Sequence, residues 1–482
     1  MKSIKQIIII VLLAILVSCS TTKETTETIV LGLPGKIKVY FNKSANESVA
    51  LPGNKAQHSV NLENKLIDLI SSADSTLDIA SYEINLPRLI DTLISTAAKG
   101  IRVRLVMDAK SEADSKDDDS FSRYDILKLY LEKLNRGKDG KLNTDDDIII
   151  FADSPIFANE NSSQRDSFNL PLSPGEYKFV EVTIGNELQS GFLLADGELK
   201  PSGQNSYYSP GNQMHNKFVV VDDEAVFTGS WNFTVTGLYG TEYNMQRGIL
   251  DGNQQHSVII ENKEIAAIYK EEFETMWGSS SDYPNPMNSK FHKRKPKDIP
   301  KTVYIDSIRV DVLFSPSTNA VSYITDLVRT EADHSILFSI FAFSYQPLVD
   351  IIKYKWENSF EDMTGERTNF SIRGVFDRSF WNQWWSASVD MTGRTAKQSS
   401  ADNPNTRWKY PANVFPDAER RKLHSKTMVI DEEIVVVGSA NWSTNANETN
   451  DENTLIIYDK KIANQFVQEI FARYMNASGL RN

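Results

Sequence analysis

The sequence predicts an α/β protein made of two homologous lobes, each an α-β-α sandwich, and two observations carry that expectation. One is a repeated set of residues: His215, Lys217, Asp222, Gly229, Ser230 and Asn232 recur as His424, Lys426, Asp431, Gly438, Ser439 and Asn441, each 209 positions later. The other is the alternation, in both halves, of short β-rich runs with amphipathic stretches of helical period. With 482 residues, 40% of them hydrophobic and 10% aromatic, the chain is long and apolar enough to bury a core in each half.

The amino terminus stands apart from both cores. Lys2 and Lys5 precede an apolar run from Ile7 to Val17, 11 residues long. That is short of the ~20 helical residues a bilayer requires and suits the apolar region of a signal peptide. Leu16-Val17-Ser18-Cys19 resembles the cleavage box of bacterial lipoproteins, and Cys19 is the single cysteine of the chain. The resemblance implies a signal peptide over 1–18 and a lipidated Cys19, hence an extracytoplasmic protein anchored to a bacterial membrane. One cysteine also excludes an intrachain disulfide framework. The Thr-rich segment behind it reads as a tether over 19–36.

The first lobe is expected over 37–277. Ile37 to Phe41 is strand-like, Asn61 to Ala73 has the period of an amphipathic helix, and Thr76 to Ser81 and Val103 to Met107 read as buried strands around a second helix. A long insertion, about 109–211, follows; it is polar and acidic at Asp117, Asp118 and Asp119, a place for a gating loop or disorder. Phe218 to Val221, the acidic turn Asp222-Asp223-Glu224 and Ala225 to Thr228 then form a hairpin. Gly278-Ser279-Ser280-Ser281 with Pro284, Pro286, Pro296 and Pro300 marks a linker over 278–308, whose basic run from Lys290 to Lys301 reads as solvated.

The second lobe, 309–482, repeats the plan. Val310 to Phe314, Asn319 to Glu331, Ser335 to Phe341 and Ile372 to Phe376 match the first-lobe elements in order, and Thr427 to Ile430, Asp431-Glu432-Glu433 and Ile434 to Val437 repeat the hairpin. Only Asp377 to Leu423 replaces the long insertion, and it gathers Trp381, Trp384, Trp385 and Trp408, suited equally to a substrate mouth and to core packing.

A His and a Lys two positions apart on a strand share a face. Each copy therefore presents an imidazole and an ammonium together, and the return strand brings the hydroxyls and amides of Ser230, Asn232, Ser439 and Asn441 beside them, with glycine to let the backbone approach a ligand. Two copies facing one another suit a tetrahedral phosphate. Phosphoryl transfer asks for positioning, charge stabilisation, a nucleophile and an acid, and two histidines can divide the last two tasks with no metal. A formal charge of −12 excludes a uniformly basic nucleic-acid surface. His58, His256, His292 and His334 lie in no matched frame and read as packing or surface residues. Asn135 to Asp146 echoes a calcium loop, but Gly137 stands where a ligand is usual and Lys141 adds charge, so an acidic turn is expected and no metal site.

His-x-Lys, four residues, Asp, then Gly-Ser-x-Asn, present twice, resembles the phospholipase D superfamily over Ile37 to Tyr474. The resemblance implies a bilobal fold, one active site at the lobe interface, a covalent phosphohistidine and no cofactor. Carried over by position, His215 attacks phosphorus and His424 protonates the leaving alcohol. Lys217, Lys426, Asn232 and Asn441 hold the phosphate oxygens, with Ser230 and Ser439 in support. Asp222 and Asp431 complete the catalytic motif, although their place at the turn reads as structural. Glu242, 27 residues after His215, and Glu452, 28 after His424, stand where the family orients its imidazoles with a carboxylate. The expected function is a phosphodiesterase that hydrolyses or transfers phospholipid headgroups at the membrane carrying Cys19. One alternative is an extracytoplasmic nuclease, since Met214 to Lys217 and Gly229 to Thr234 look like the nuclease branch. Another is a non-catalytic surface binding protein.

Overall fold

The computed structural model describes residues 36–108, 123–141, 144–152, 212–285, 288–359, 370–398 and 406–480, Asp166, and the backbone of three strands between 178 and 201. The expected signal peptide, Cys19, nearly all of the tether, and Asp117 to Asp119 lie outside the described residues.

The first lobe contributes β1 (Ile37–Phe41), β2 (Thr76–Ser81), β3 (Arg102–Met107), β4 (Ile149–Ala152), β5 (Lys178–Ile184), β6 (Glu187–Leu193), β7 (Leu199–Pro201), β8 (Lys217–Val221), β9 (Ala225–Gly229) and β10 (His256–Glu261). The second contributes β11 (Lys301–Ile305), β12 (Ile308–Ser315), β13 (Ser335–Ile340), β14 (Ser371–Phe376), β15 (Asn413–Pro416), β16 (Lys426–Ile430), β17 (Ile434–Gly438) and β18 (Glu452–Tyr458). The first sheet runs β1-β10-β9-β8-β2-β3-β4, and the second β11-β12-β18-β17-β16-β13-β14-β15. Apart from the edge strand β11, the second order repeats the first strand for strand.

Alternate residues of each strand enter different cores, as the two-residue period requires. Phe218 and Val220 face a core shared by both lobes, whereas Val219 and Val221 face the outer helices of the first lobe. Those helices are α1 (Leu62–Ser71), α2 (Pro87–Ala97) and α3 (Arg123–Asn135). In α1, Leu62, Leu66 and Ile70 form one buried stripe, and the Asn61 side chain caps the first turn by accepting from the Asn64 amide. The shared core is filled by α4 (Lys263–Trp277), while α5 (Ala320–Glu331) and α6 (Gln346–Glu357) cover the outside of the second sheet and α7 (Lys460–Ser478) joins α4 in the middle. Helices on both faces of each sheet make the α/β sandwich of each lobe, and their central pair locks the lobes into one body.

Two expectations change here. Within the expected insertion, α3 and β4 belong to the lobe, because β4 pairs with β3 in parallel as β15 does with β14; the described surplus is the antiparallel sheet β5-β6-β7. The basic linker is not a solvated spacer throughout: Phe291, His292 and Lys295 are buried, and β11 pairs with β12. In the acidic turn, the Asp146 carboxylate accepts from the Asp139 amide and the Thr144 hydroxyl. Among the described residues no helix is long and apolar enough to cross a membrane.

Candidate active site

Each catalytic segment is held from two directions. The Met214 amide donates to Asp108 Oδ1 (2.7 Å) and the Leu423 amide to Asp377 Oδ2 (2.8 Å), so an aspartate just past β3 or β14 ties down the residue before each histidine. The opposite lobe supplies the second grip. The His215 amide donates to the Asp451 carbonyl (2.8 Å) at the start of β18, and the His424 amide to the Gln254 carbonyl (3.0 Å) at the start of β10. The lobes thereby exchange strand ends across the interface. His215 and His424 come to line one cleft with Tyr82, Gln213, Asn232, Phe341 and Asn441.

The two imidazoles have different partners. His215 Nδ1 lies 2.7 Å from Glu452 Oε2, and the same oxygen accepts from Ser439 Oγ at 2.6 Å. With Glu452 ionised, that bond holds the proton on Nδ1 and leaves Nε2 as the basic nitrogen. Burial pushes the Glu452 carboxyl up to about 8, opposed by Lys217 and by the hydrogen bonds from Ser439 and Asn450. His424 Nδ1 instead faces the Ser230 carbonyl (3.0 Å) and Gln255 Oε1 (3.1 Å), both neutral. Burial, Lys426 and Lys217 hold His424 well below the usual histidine range. Lys217 Nζ donates to the His215 carbonyl (2.6 Å) and Lys426 Nζ to the His424 carbonyl (2.7 Å). Burial and the neighbouring Lys217 hold the Lys426 ammonium well below its ordinary value. An aromatic ring backs each histidine: Tyr82 against His215 and Phe341 against His424, both at 4.8 Å between centroids.

The family model described as "Cardiolipin synthase, PLD-like domain" matches residues 66–150, 197–277 and 329–475, well over half of the chain. The chain belongs to the phospholipase D superfamily. A phospholipase D from Rickettsia prowazekii (strain Madrid E) is 38% identical over 164 residues, 34% of this chain and 67% of that protein. The phosphatidylserine synthase of Haemophilus influenzae Rd KW20 superposes on 92% of this chain and 87% of its own at a TM-score of 0.51 and 12% identity, a likeness of fold. Nuc from Salmonella typhimurium covers 35% of this chain and 96% of its own at a TM-score of 0.27 and 19% identity. Membership gives the chain a phosphodiester-acting function of the phospholipase D type.

Several of the superfamily's motif positions do other work than expected. Asn232 and Asn441 line the cleft, where the N–H groups of their side-chain amides can donate to phosphate oxygens. Ser230 and Ser439 point away from it: Ser230 Oγ accepts from the His256 amide and Ser439 Oγ donates to Glu452, so both are positioning residues. Asp222 and Asp431 are structural, not catalytic. Asp222 accepts from the amides of Asp74, Ser75 and Thr76, all at 2.8 Å, and Asp431 from those of Asp333, His334 and Ser335 at 2.6–2.8 Å, at the strand ends remote from the histidines. Gly229 and Gly438, at φ +150° and +156°, serve the neighbouring strand rather than a ligand, because a Cβ would meet the His256 or Asn453 carbonyl at 2.4 or 2.2 Å.

Glu242 does not orient a histidine. It is exposed on a short helix, and the structural counterpart of Glu452 is Gln255. Pairing of Gly229 with Ser257 and of Gly438 with Thr454 sets the offset here at 197, so the first lobe carries 12 extra residues between motif and strand, which hid Gln255 from counting by 209. Sequence reasoning also missed Tyr82 and Phe341, each one residue past its strand, and the buried cluster behind His215. There Asp451 Oδ1 meets Lys295 Nζ at 2.7 Å, Asp451 Oδ2 meets His292 Nδ1 at 2.9 Å, and Lys295 also pairs with Glu272. Of the tryptophans, Trp408 is core, Trp384 is half exposed, and Trp385 packs on Phe380, which in turn packs on Phe341.

Proposed function

We propose that the chain cleaves phospholipid headgroups through a covalent phosphohistidine on His215. The observation that carries the assignment is the unequal pairing of the two imidazoles. Nε2 of His215 attacks phosphorus, and the ring becomes cationic as the N–P bond forms; Glu452, in its ionised form, accepts from Nδ1 and stabilises that charge. His424, bound only to neutral acceptors, is a strong acid when protonated. It gives its Nε2 proton to the leaving oxygen as the P–O bond breaks, and the electron pair departs with the alcohol. Water then loses a proton to His424 and attacks phosphorus, the N–P bond breaks, and His215 is restored. An alcohol in place of water gives transfer. Lys217, Lys426, Asn232 and Asn441 hold the non-bridging oxygens.

A lipid substrate is supported by the name of the Rickettsia relative and by the anchor expected at Cys19. Nuclease action is the second reading, favoured by Arg420 and Lys422 at the cleft mouth. The test runs wild type and His215→Ala, with chelator, on mixed phospholipid vesicles and on single- and double-stranded DNA. Headgroup release by wild type alone is expected. DNA cleavage without lipid turnover replaces the lipid reading with the nuclease, and turnover of neither leaves a binding protein. With a nitrophenyl diester, whose leaving group needs no acid, His424→Ala should accumulate a phosphoenzyme, trapped by an alkaline quench because the N–P bond is acid-labile, that His215→Ala never forms.

A further inference from the structure

The two halves of the cleft match in their machinery and differ in their charge. Arg420, Arg421 and Lys422 immediately precede Leu423-His424; at the same offset of 209 the first lobe has Gly211, Asn212 and Gln213. Lys422 Nζ lies 5.5 Å from the centre of the Phe341 ring, whereas its counterpart Gln213 donates Nε2 to the Tyr82 hydroxyl at 3.1 Å. Arg421 is tied to Asp251, at 2.8 Å. Arg420 and Lys422 are exposed at the mouth, and the first-lobe residues described along the cleft include Glu83, Asn85, Thr234 and Thr236 but no Lys or Arg.

A simple phosphodiester carries one negative charge, and Lys217 with Lys426 already answers it. Among the described residues, two further cations stand on one side of the cleft, and they call for a second anion there. Resting on the reading that His215 attacks and His424 protonates the leaving oxygen, that side is the leaving group's. We infer that Arg420 and Lys422 form a subsite for a phosphate carried by the leaving alcohol. The preferred substrate is a phosphodiester whose departing alcohol is itself phosphorylated, and a cationic alcohol such as choline or ethanolamine leaves poorly. The same cations act on His424, which feels Lys422 as well as Lys426 and Lys217, so a second phosphate seated there also favours the protonated imidazole that the leaving step consumes.

Matched substrates test the subsite. Phosphatidylglycerol is compared with phosphatidylglycerophosphate, and the dinucleotide TpT with its forms bearing a terminal phosphate, on wild type and on Arg420→Gln/Lys422→Gln. Wild type is expected to favour the phosphorylated member on the order of tenfold in kcat/KM, two partly screened ion pairs' worth, and the double variant to show near parity. The lipid or the nucleotide pair in which the preference resides identifies the source of the alcohol. A wild-type ratio near one, or a preference untouched by the double variant, overturns the proposal. Binding keeps it testable without turnover: glycerol 1,3-bisphosphate should bind wild type about tenfold tighter than glycerol 3-phosphate, with the difference gone in the variant, and equal binding to wild type sinks the subsite. Phosphoenzyme found on His424 after an alkaline quench would show that the assignment of His215, and not the subsite itself, had failed.

Discussion

At the scale of single residues, the deciding feature is one atom's charge. Glu452 offers a carboxylate to His215, and Gln255, in the equivalent place, offers an amide oxygen to His424. A carboxylate favours imidazolium, and an amide leaves it acidic. Gln255→Glu should therefore raise the pKa of His424. The alkaline limb of the kcat/KM profile moves to higher pH, while the plateau falls because a weaker acid serves the leaving oxygen. A pH–rate profile on a diester with a poor leaving group measures both, and an unmoved limb would show that Gln255 does not govern His424. Counting along the sequence could not find this residue, because the 12 extra residues displace it while the strand pairing keeps its place.

At the scale of elements, strand ends and the linker set the geometry. Asp451 immediately precedes β18; its carbonyl holds the His215 amide and its carboxylate is held by Lys295 from the linker. Lys295→Met leaves Asp451 and Glu272 buried without their common cation. Loss of one partner from a buried ion pair costs roughly 3–5 kcal/mol, which urea unfolding should register. A cost below about 1 kcal/mol would mean the linker is dispensable. β17 shows a second constraint. Gly438→Ala places a methyl 2.2 Å from the Asn453 carbonyl at a φ of +156°, so β17 and β18 must part. The expected result is a fall in stability of roughly 1–3 kcal/mol together with lost turnover, since Glu452 is next to Asn453. Wild-type stability in that variant would refute the close-approach role.

At the scale of the whole molecule, ionisable groups buried between the lobes set the pH dependence. Burial pushes Glu272 and Glu469 each up to about 7 and Asp417 up to about 6. For a raised acid, the stability it contributes is complete below its unfolded value, near 4, and is lost as pH rises through the folded one. Asp451 runs the other way. Despite burial, Lys295 and His292 bring it down to about 2, so its contribution is present above about 4 and lost as pH falls toward 2. The melting temperature should accordingly decline from pH 5 to pH 8, and again below about pH 4. A melting temperature that rises between pH 5 and pH 8 would contradict this account of the interface.

Period-two and helical patterning determined the strands and helices, and the doubled His-x-Lys, Asp, Gly-Ser-x-Asn set determined the family, the two lobes and the pairs His215 with Lys217 and His424 with Lys426. These are local matters, fixed by side-chain alternation and short spacing. The tertiary structure alone decided which residues meet across the interface. Glu452 serves the histidine of the other lobe, Gln255 and not Glu242 serves His424, Ser230 and Ser439 turn inward, and a stretch that reads as solvated linker delivers Lys295 to the back of the site. Each of these contacts joins residues distant in sequence, through strand pairing and burial that no local period records.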